Sequence, residues 1–66
     1  MNGRALKKLR EKEGLTQDEL AQLLEVSKPS IASYETNRRT PSMRIFKRIV
    51  NLFDVSADYL LEDEAS

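Results

Sequence analysis

Sixty-six residues leave room for one small domain, expected over residues 1–66; a chain this size buries only about 60% of its unfolded surface and is marginally stable. Cys and His are both absent, which removes disulfides, the usual structural zinc ligands, the commonest catalytic base and the thiol nucleophile; neither an enzyme nor a metal site is expected. Formal net charge is zero, no apolar run approaches the ~20 residues of a membrane helix, and no signal-peptide core follows the N-terminal charges, so the default location is cytoplasmic.

Apolar spacing is helical throughout, and the chain divides at residues that start or stop helices. The first helix opens near Asn2, turns Ala5, Leu6 and Leu9 inward and closes at Gly14, a left-handed stop. Thr16-Gln17-Asp18-Glu19 is a capping box that opens a second helix, expected to bury Leu20, Leu23 and Leu24. Ser27 caps a third helix, with Pro29 in its first turn and Ile31 and Tyr34 as its apolar face. Asn37-Arg38-Arg39-Thr40-Pro41 reads as a loop. Ser42 caps a fourth helix, whose Ile45, Phe46, Ile49, Val50 and Phe53 make the strongest amphipathic pattern in the chain. Asp54-Val55 breaks it, and Ser56 caps a last short helix carrying Tyr59, Leu60 and Leu61. The expected fold class is all-α, a compact five-helix bundle.

The zero net charge hides blocks. Residues 1–10 carry Arg4, Lys7, Lys8 and Arg10 and no acid, whereas residues 11–25 are predominantly acidic. Residues 26–48 hold Lys28, Arg38, Arg39, Arg44, Lys47 and Arg48 against a lone Glu35, and residues 49–66 hold acids only. A basic middle between acidic flanks can present one cationic face; solvated surface is the plainer reading.

Only Glu25-Val26 and the cap Ser27 separate the second and third helices. So short a connection suits two helices that cross steeply, the helix-turn-helix arrangement. Outward positions of the third helix are Lys28, Pro29, Ser30, Ala32, Ser33 and Thr36, all small or polar. A helix meant only for a core is seldom so poor in apolar residues; one that enters a nucleic-acid groove has this character.

Several runs carry a family resemblance: Leu15-Thr16-Gln17-Asp18-Glu19-Leu20-Ala21, Val26-Ser27, Ile31, Tyr34-Glu35, Pro41-Ser42, and Asp54-Val55-Ser56-Ala57-Asp58-Tyr59-Leu60-Leu61. In these the chain resembles the Cro/repressor-type (XRE-like) helix-turn-helix regulators of phage and bacteria, over roughly residues 4–61. The resemblance implies a lambda-repressor-like DNA-binding domain with the motif at about 16–36 and the recognition helix at about 28–36. It implies no cofactor, and double-stranded DNA as partner.

Carried over residue by residue, the resemblance places Lys28, Pro29, Ser30 and Ser33 at the bases. Relatives commonly have Gln at the first two positions; here Lys28 can donate to guanine O6 and N7, and Pro29 offers only an apolar surface. A phosphate contact is the other reading of Lys28, and solvent exposure that of both serines. Gln17 at the start of the second helix, with Asn37, Arg38, Arg39 and Arg44, forms the implied phosphate clamp. Arg10 and Glu35 form the implied ion pair between the first and third helices. Glu25 departs from the family's usual Gly, and a left-handed conformation there costs about 1–2 kcal/mol. Val55, Ala57 and Tyr59 either complete the core or make a two-fold dimer contact.

The expected function is a transcriptional repressor that binds a near-palindromic operator as a homodimer. An antitoxin-type interaction module that represses its own operon is the alternative, with the acidic run Glu62-Asp63-Glu64 as its only candidate segment.

Overall fold

Each helix starts where a polar side chain in extended conformation takes up a free amide of the first turn. The computed structural model describes residues 1–62, over which five helices follow one another: α1 (Gly3–Lys12), α2 (Gln17–Leu24), α3 (Lys28–Glu35), α4 (Met43–Phe53) and α5 (Ala57–Leu61). Their caps are Asn2, Thr16, Ser27, Ser42 and Ser56, each accepting from an amide three residues on. Thr16 and Glu19 close the capping box reciprocally, at 3.0 and 2.8 Å. The Thr16 amide, then its hydroxyl, hold the Glu19 carboxyl below its ordinary range. Of the acidic run Glu62-Asp63-Glu64, the last two residues lie outside the described part.

Four of the five helix stops share one geometry, the exception being α5, which ends on extended backbone at Glu62. Gly14, Glu25, Asn37 and Asp54 all have positive φ, at 71°, 58°, 61° and 53°. After each of them the next amide reaches back five residues, Leu15 to Arg10, Val26 to Ala21, Arg38 to Ser33 and Val55 to Val50, at 2.9–3.2 Å. This Schellman closure satisfies carbonyls that would otherwise end the helix unpaired. At three of the four the residue after the left-handed one turns inward, Leu15, Val26 and Val55 lying against the core cluster, whereas Arg38 is exposed. Only one of the four left-handed residues is glycine, so the other three fold against a steric penalty. Glu25→Gly is therefore expected to stabilise the chain by about 1 kcal/mol, raising Tm by roughly 4–8 °C. The Arg48–Glu25 contact it removes is 3.4 Å long with Glu25 largely exposed, so its loss offsets only a few tenths of that. An unchanged or lower Tm would show that the ion pair outweighs the backbone.

Leu6, Leu20, Leu24, Ile31, Ile49 and Leu60 are completely enclosed, with Ala5, Ala21, Tyr34, Ile45 and Phe46 around them. Every helix contributes, so the core is a single cluster. The expectation for Leu23 is corrected: it is 54% exposed. Leu20, Ala21 and Leu24 define the inward stripe of α2, and Leu23 lies beside Leu20 on the side away from the other two, where no helix covers it. In α5 only Leu60 is buried; Tyr59 and Leu61 are 42% and 59% exposed. Among the described residues no helix is long and apolar enough to cross a membrane.

The chain closes on itself through its first residues. The Asn2 amide donates to the Leu60 carbonyl at 2.6 Å and its side-chain amide to the Glu62 carbonyl at 3.0 Å. Next to it, the Gly3 amide donates to Asn37 Oδ1 at 2.9 Å. The start of α1 is thus tied to α5 on one side and to the end of α3 on the other.

Candidate nucleic-acid interface

The angle of α3 is set by the short turn after α2. Glu25 in the left-handed region (φ 58°, ψ 43°) reverses the chain, and Ser27 returns to extended backbone (φ −83°, ψ 156°) with its hydroxyl on the Ser30 amide. Ile31 then inserts fully into the core beside Leu20 and Leu24. Arg48 from α4 donates to the Leu24 carbonyl at 2.9 Å, placing a cation at the C-terminus of α2 where the helix dipole favours one.

A polar lock holds the other end of α3. Arg10 Nε and Nη2 donate to Glu35 Oε2 and Oε1 at 2.6 and 3.2 Å, a bidentate pair with both side chains buried. Arg10 Nη1 donates to the Leu15 carbonyl at 2.8 Å, and Gln17 Nε2 donates to Glu35 Oε1 at 3.1 Å. The hydrogen bond to Glu35 raises the Arg10 pKa, against the opposing effect of burial. One carboxylate therefore joins α1, α2 and α3. Among the described residues no buried side-chain nitrogen or oxygen lacks a partner. The lock leaves one Gln17 amide hydrogen for another acceptor, at the N-terminal end of α2.

The outward side of α3 carries Lys28 and Pro29, both exposed, and the half-buried Ser30, Ala32 and Ser33. Ser30 Oγ lies 2.8 Å from Ser27 Oγ, so this serine is shared with the helix cap. Ala32, Ser33, Thr36 and Arg38 line a shallow depression. The Arg38 and Arg39 amides both donate to the Ser33 carbonyl, at 2.9 and 3.3 Å, which brings the basic loop back onto this face. Asn37, Arg38, Arg39 and Arg44 are exposed, the last in the first turn of α4. Asn37 is exposed and accepts from the Gly3 amide through its Oδ1.

Val55, Ala57 and Tyr59 separate. Val55 rests against the core, while Ala57 and Tyr59 are exposed. Three features were not foreseen from the sequence: the Gln17–Glu35 hydrogen bond, the Arg48 contact with α2, and the close approach of Gly3 to α3. All three join residues far apart in the chain, and no local pattern signals them.

Comparison with known proteins agrees with this geometry. Residues 6–60 match the helix-turn-helix family. The chain is 40% identical to the HTH-type transcriptional regulator ImmR of Bacillus subtilis (strain 168) over 97% of its own length and 51% of that protein's. It is 39% identical to the HTH-type transcriptional regulator YqaE of the same strain, over 92% of this chain and 53% of the relative. The chain thus spans about half the length of these relatives. Among solved structures, SinR of Bacillus subtilis, a master regulator for biofilm formation crystallised in complex with DNA, superposes with a TM-score of 0.82 at 32% identity, covering 94% of this chain and 100% of that one. With its motif, its five-helix fold and a family match across nearly the whole chain, this protein belongs to the Cro/repressor-type helix-turn-helix family of DNA-binding transcriptional regulators, a non-enzymatic class.

Proposed function

We propose that this chain is a sequence-specific, double-stranded-DNA-binding transcriptional regulator of the cytoplasm, a repressor that occupies a near-palindromic operator as a homodimer. The observation that carries the reading is the outward face of α3. It carries the exposed Lys28 and Pro29, is bare of large apolar side chains and is bordered by Arg38, and the first residue of α2, Gln17, is hydrogen-bonded to the last residue of α3. SinR, whose structure was solved with DNA, aligns over its whole chain and supports the reading.

In this reading α3 lies in the major groove with Lys28 donating to a guanine and Pro29 against a thymine methyl. Ser30 and Ser33 supply weaker polar contacts. Gln17, Asn37, Arg38, Arg39 and Arg44 neutralise or hydrogen-bond phosphates on either side, fixing register without reading sequence. Ala57 and Tyr59, with Val55 behind them, form the two-fold contact that sets two recognition helices ~34–36 Å apart. Occupancy alone blocks a polymerase, so repression needs no further chemistry.

Two substitutions separate the roles. Lys28→Ala is expected to relax preference at one base-pair position of a selected site, costing about 1–3 kcal/mol there, as read by competition with single-base variants. A loss equal on every sequence would make Lys28 a phosphate contact. Arg38→Ala is expected to weaken all duplexes alike and to reduce the slope of log K against log salt by about one unit. An unchanged slope would remove Arg38 from the clamp.

A further inference from the structure

Away from α3, two surface depressions meet at Leu15. One is lined by Leu15, Glu19, Gln22 and Leu23, the other by Glu13, Leu15, Leu52, Phe53 and Asp54. Their floor is apolar and accessible: Leu23 is 54% and Leu52 40% exposed, while Leu24, the next residue after Leu23, is 1% exposed. Beside the neutral Gln22, the charged groups of the rim are all acidic: Glu13, Glu19 and Asp54 are exposed carboxylates, and among the described residues no Lys or Arg lines either depression. None of these residues belongs to α3, to the basic loop after it or to α5. Continuous exposed apolar surface with a charged rim marks a place where another molecule docks.

We propose that this groove, formed by the α1–α2 turn, α2 and the end of α4, binds a basic amphipathic segment of a protein partner. Aliphatic or aromatic side chains of the segment fill the floor along Leu15, Leu23 and Leu52, and its Lys or Arg residues meet Glu13, Glu19 and Asp54. Charge decides between occupants. A second copy docking by two-fold symmetry brings the same carboxylates face to face, and a nucleic acid is repelled outright. A cationic polypeptide satisfies both floor and rim, and it leaves the α3 face open, so partner and DNA can be held together.

The test uses the full chain and a short helical peptide with leucines on one face and lysines on the other. The same peptide with glutamates for lysines is the control. The lysine peptide is expected to shift the methyl resonances of Leu15, Leu23 and Leu52 and leave Leu61 unmoved, with no comparable shifts from the glutamate peptide. Leu23→Asn with Leu52→Asn should weaken binding by about ten-fold or more, as loss of central apolar contacts does. Glu13→Gln with Asp54→Asn should weaken it and flatten its salt dependence, asparagine keeping tolerance of the left-handed conformation at position 54. These residues are exposed, so melting curves of the variants should remain cooperative. Equal binding of both peptides, shifts confined to α5, or full binding by the variants would each overturn the proposal. Concentration-dependent self-association abolished by Leu52→Asn would give the groove to a second copy and overturn it as well.

Discussion

Glu35→Ala is expected to lower the unfolding free energy by about 3 kcal/mol, because it leaves the Arg10 guanidinium buried with only the Leu15 carbonyl to receive it. A single core of this size supplies roughly 3–5 kcal/mol in total, so the variant should be substantially unfolded at 37 °C. Arg10→Met should cost a similar amount, by stranding the carboxylate against Gln17 alone. Combining Arg10→Met with Glu35→Leu should restore much of the loss, since an apolar pair needs no desolvation of charge. Urea unfolding of the four proteins checks the sequence of effects, and single substitutions costing under about 1 kcal/mol would contradict it. Restored stability should not restore DNA affinity, because the pair also anchors Gln17 and the end of α3. On that outcome the pair would be replaceable for stability by apolar side chains, but not for holding α3 at its angle.

Gly3→Ala is the second large effect. A Cβ at this position would stand 2.1 Å from the Tyr34 carbonyl oxygen and 2.6 Å from that of Glu35, both main-chain atoms that no rotamer change can move. Alanine is otherwise favoured over glycine in a helix by up to about 1 kcal/mol. The clash wins, because its relief requires either fraying the first turn of α1 or displacing the end of α3. The net cost is expected to be about 1–3 kcal/mol, with Tm falling accordingly. Fraying would also break the Gly3–Asn37 hydrogen bond that steadies the basic loop, so operator affinity should fall together with stability. A Gly3→Ala protein as stable as the parent would show that the two helices can part here at no cost.

What the sequence revealed follows the range of each signal. Helix starts were legible, since a hydroxyl or the box Thr16-Gln17-Asp18-Glu19 just before an apolar run is a local pattern. The places where helices stop were legible too, at Gly14, at the loop 37–41 and at Asp54-Val55. Their geometry was less so: Gly14 could be read directly and Glu25 by family resemblance, but Asn37 and Asp54 adopt the same left-handed conformation with residues that give only a weak preference for it. Leu23 fitted the helical period and is nevertheless exposed, because periodicity locates a stripe without saying how wide the covering neighbours are. Gly3 looked like an ordinary helix start; its requirement comes from carbonyls more than thirty residues away. Arg10 and Glu35 lie 25 residues apart, and only the family resemblance pairs them, while Gln17's share in that lock had no sequence signal. The candidate recognition face was readable by what it lacks: apart from Ile31 and Tyr34, no large apolar side chain occupies α3.

If the outward side of α3 reads a defined DNA sequence, selection of tight binders from a random duplex pool, at one fixed and stated salt concentration, should enrich a near-palindrome whose half-sites lie one helical turn apart. A guanine should be lost from the consensus when Lys28→Ala is selected in parallel. Enrichment of no sequence, with weak binding that vanishes near physiological salt, would contradict that reading of α3.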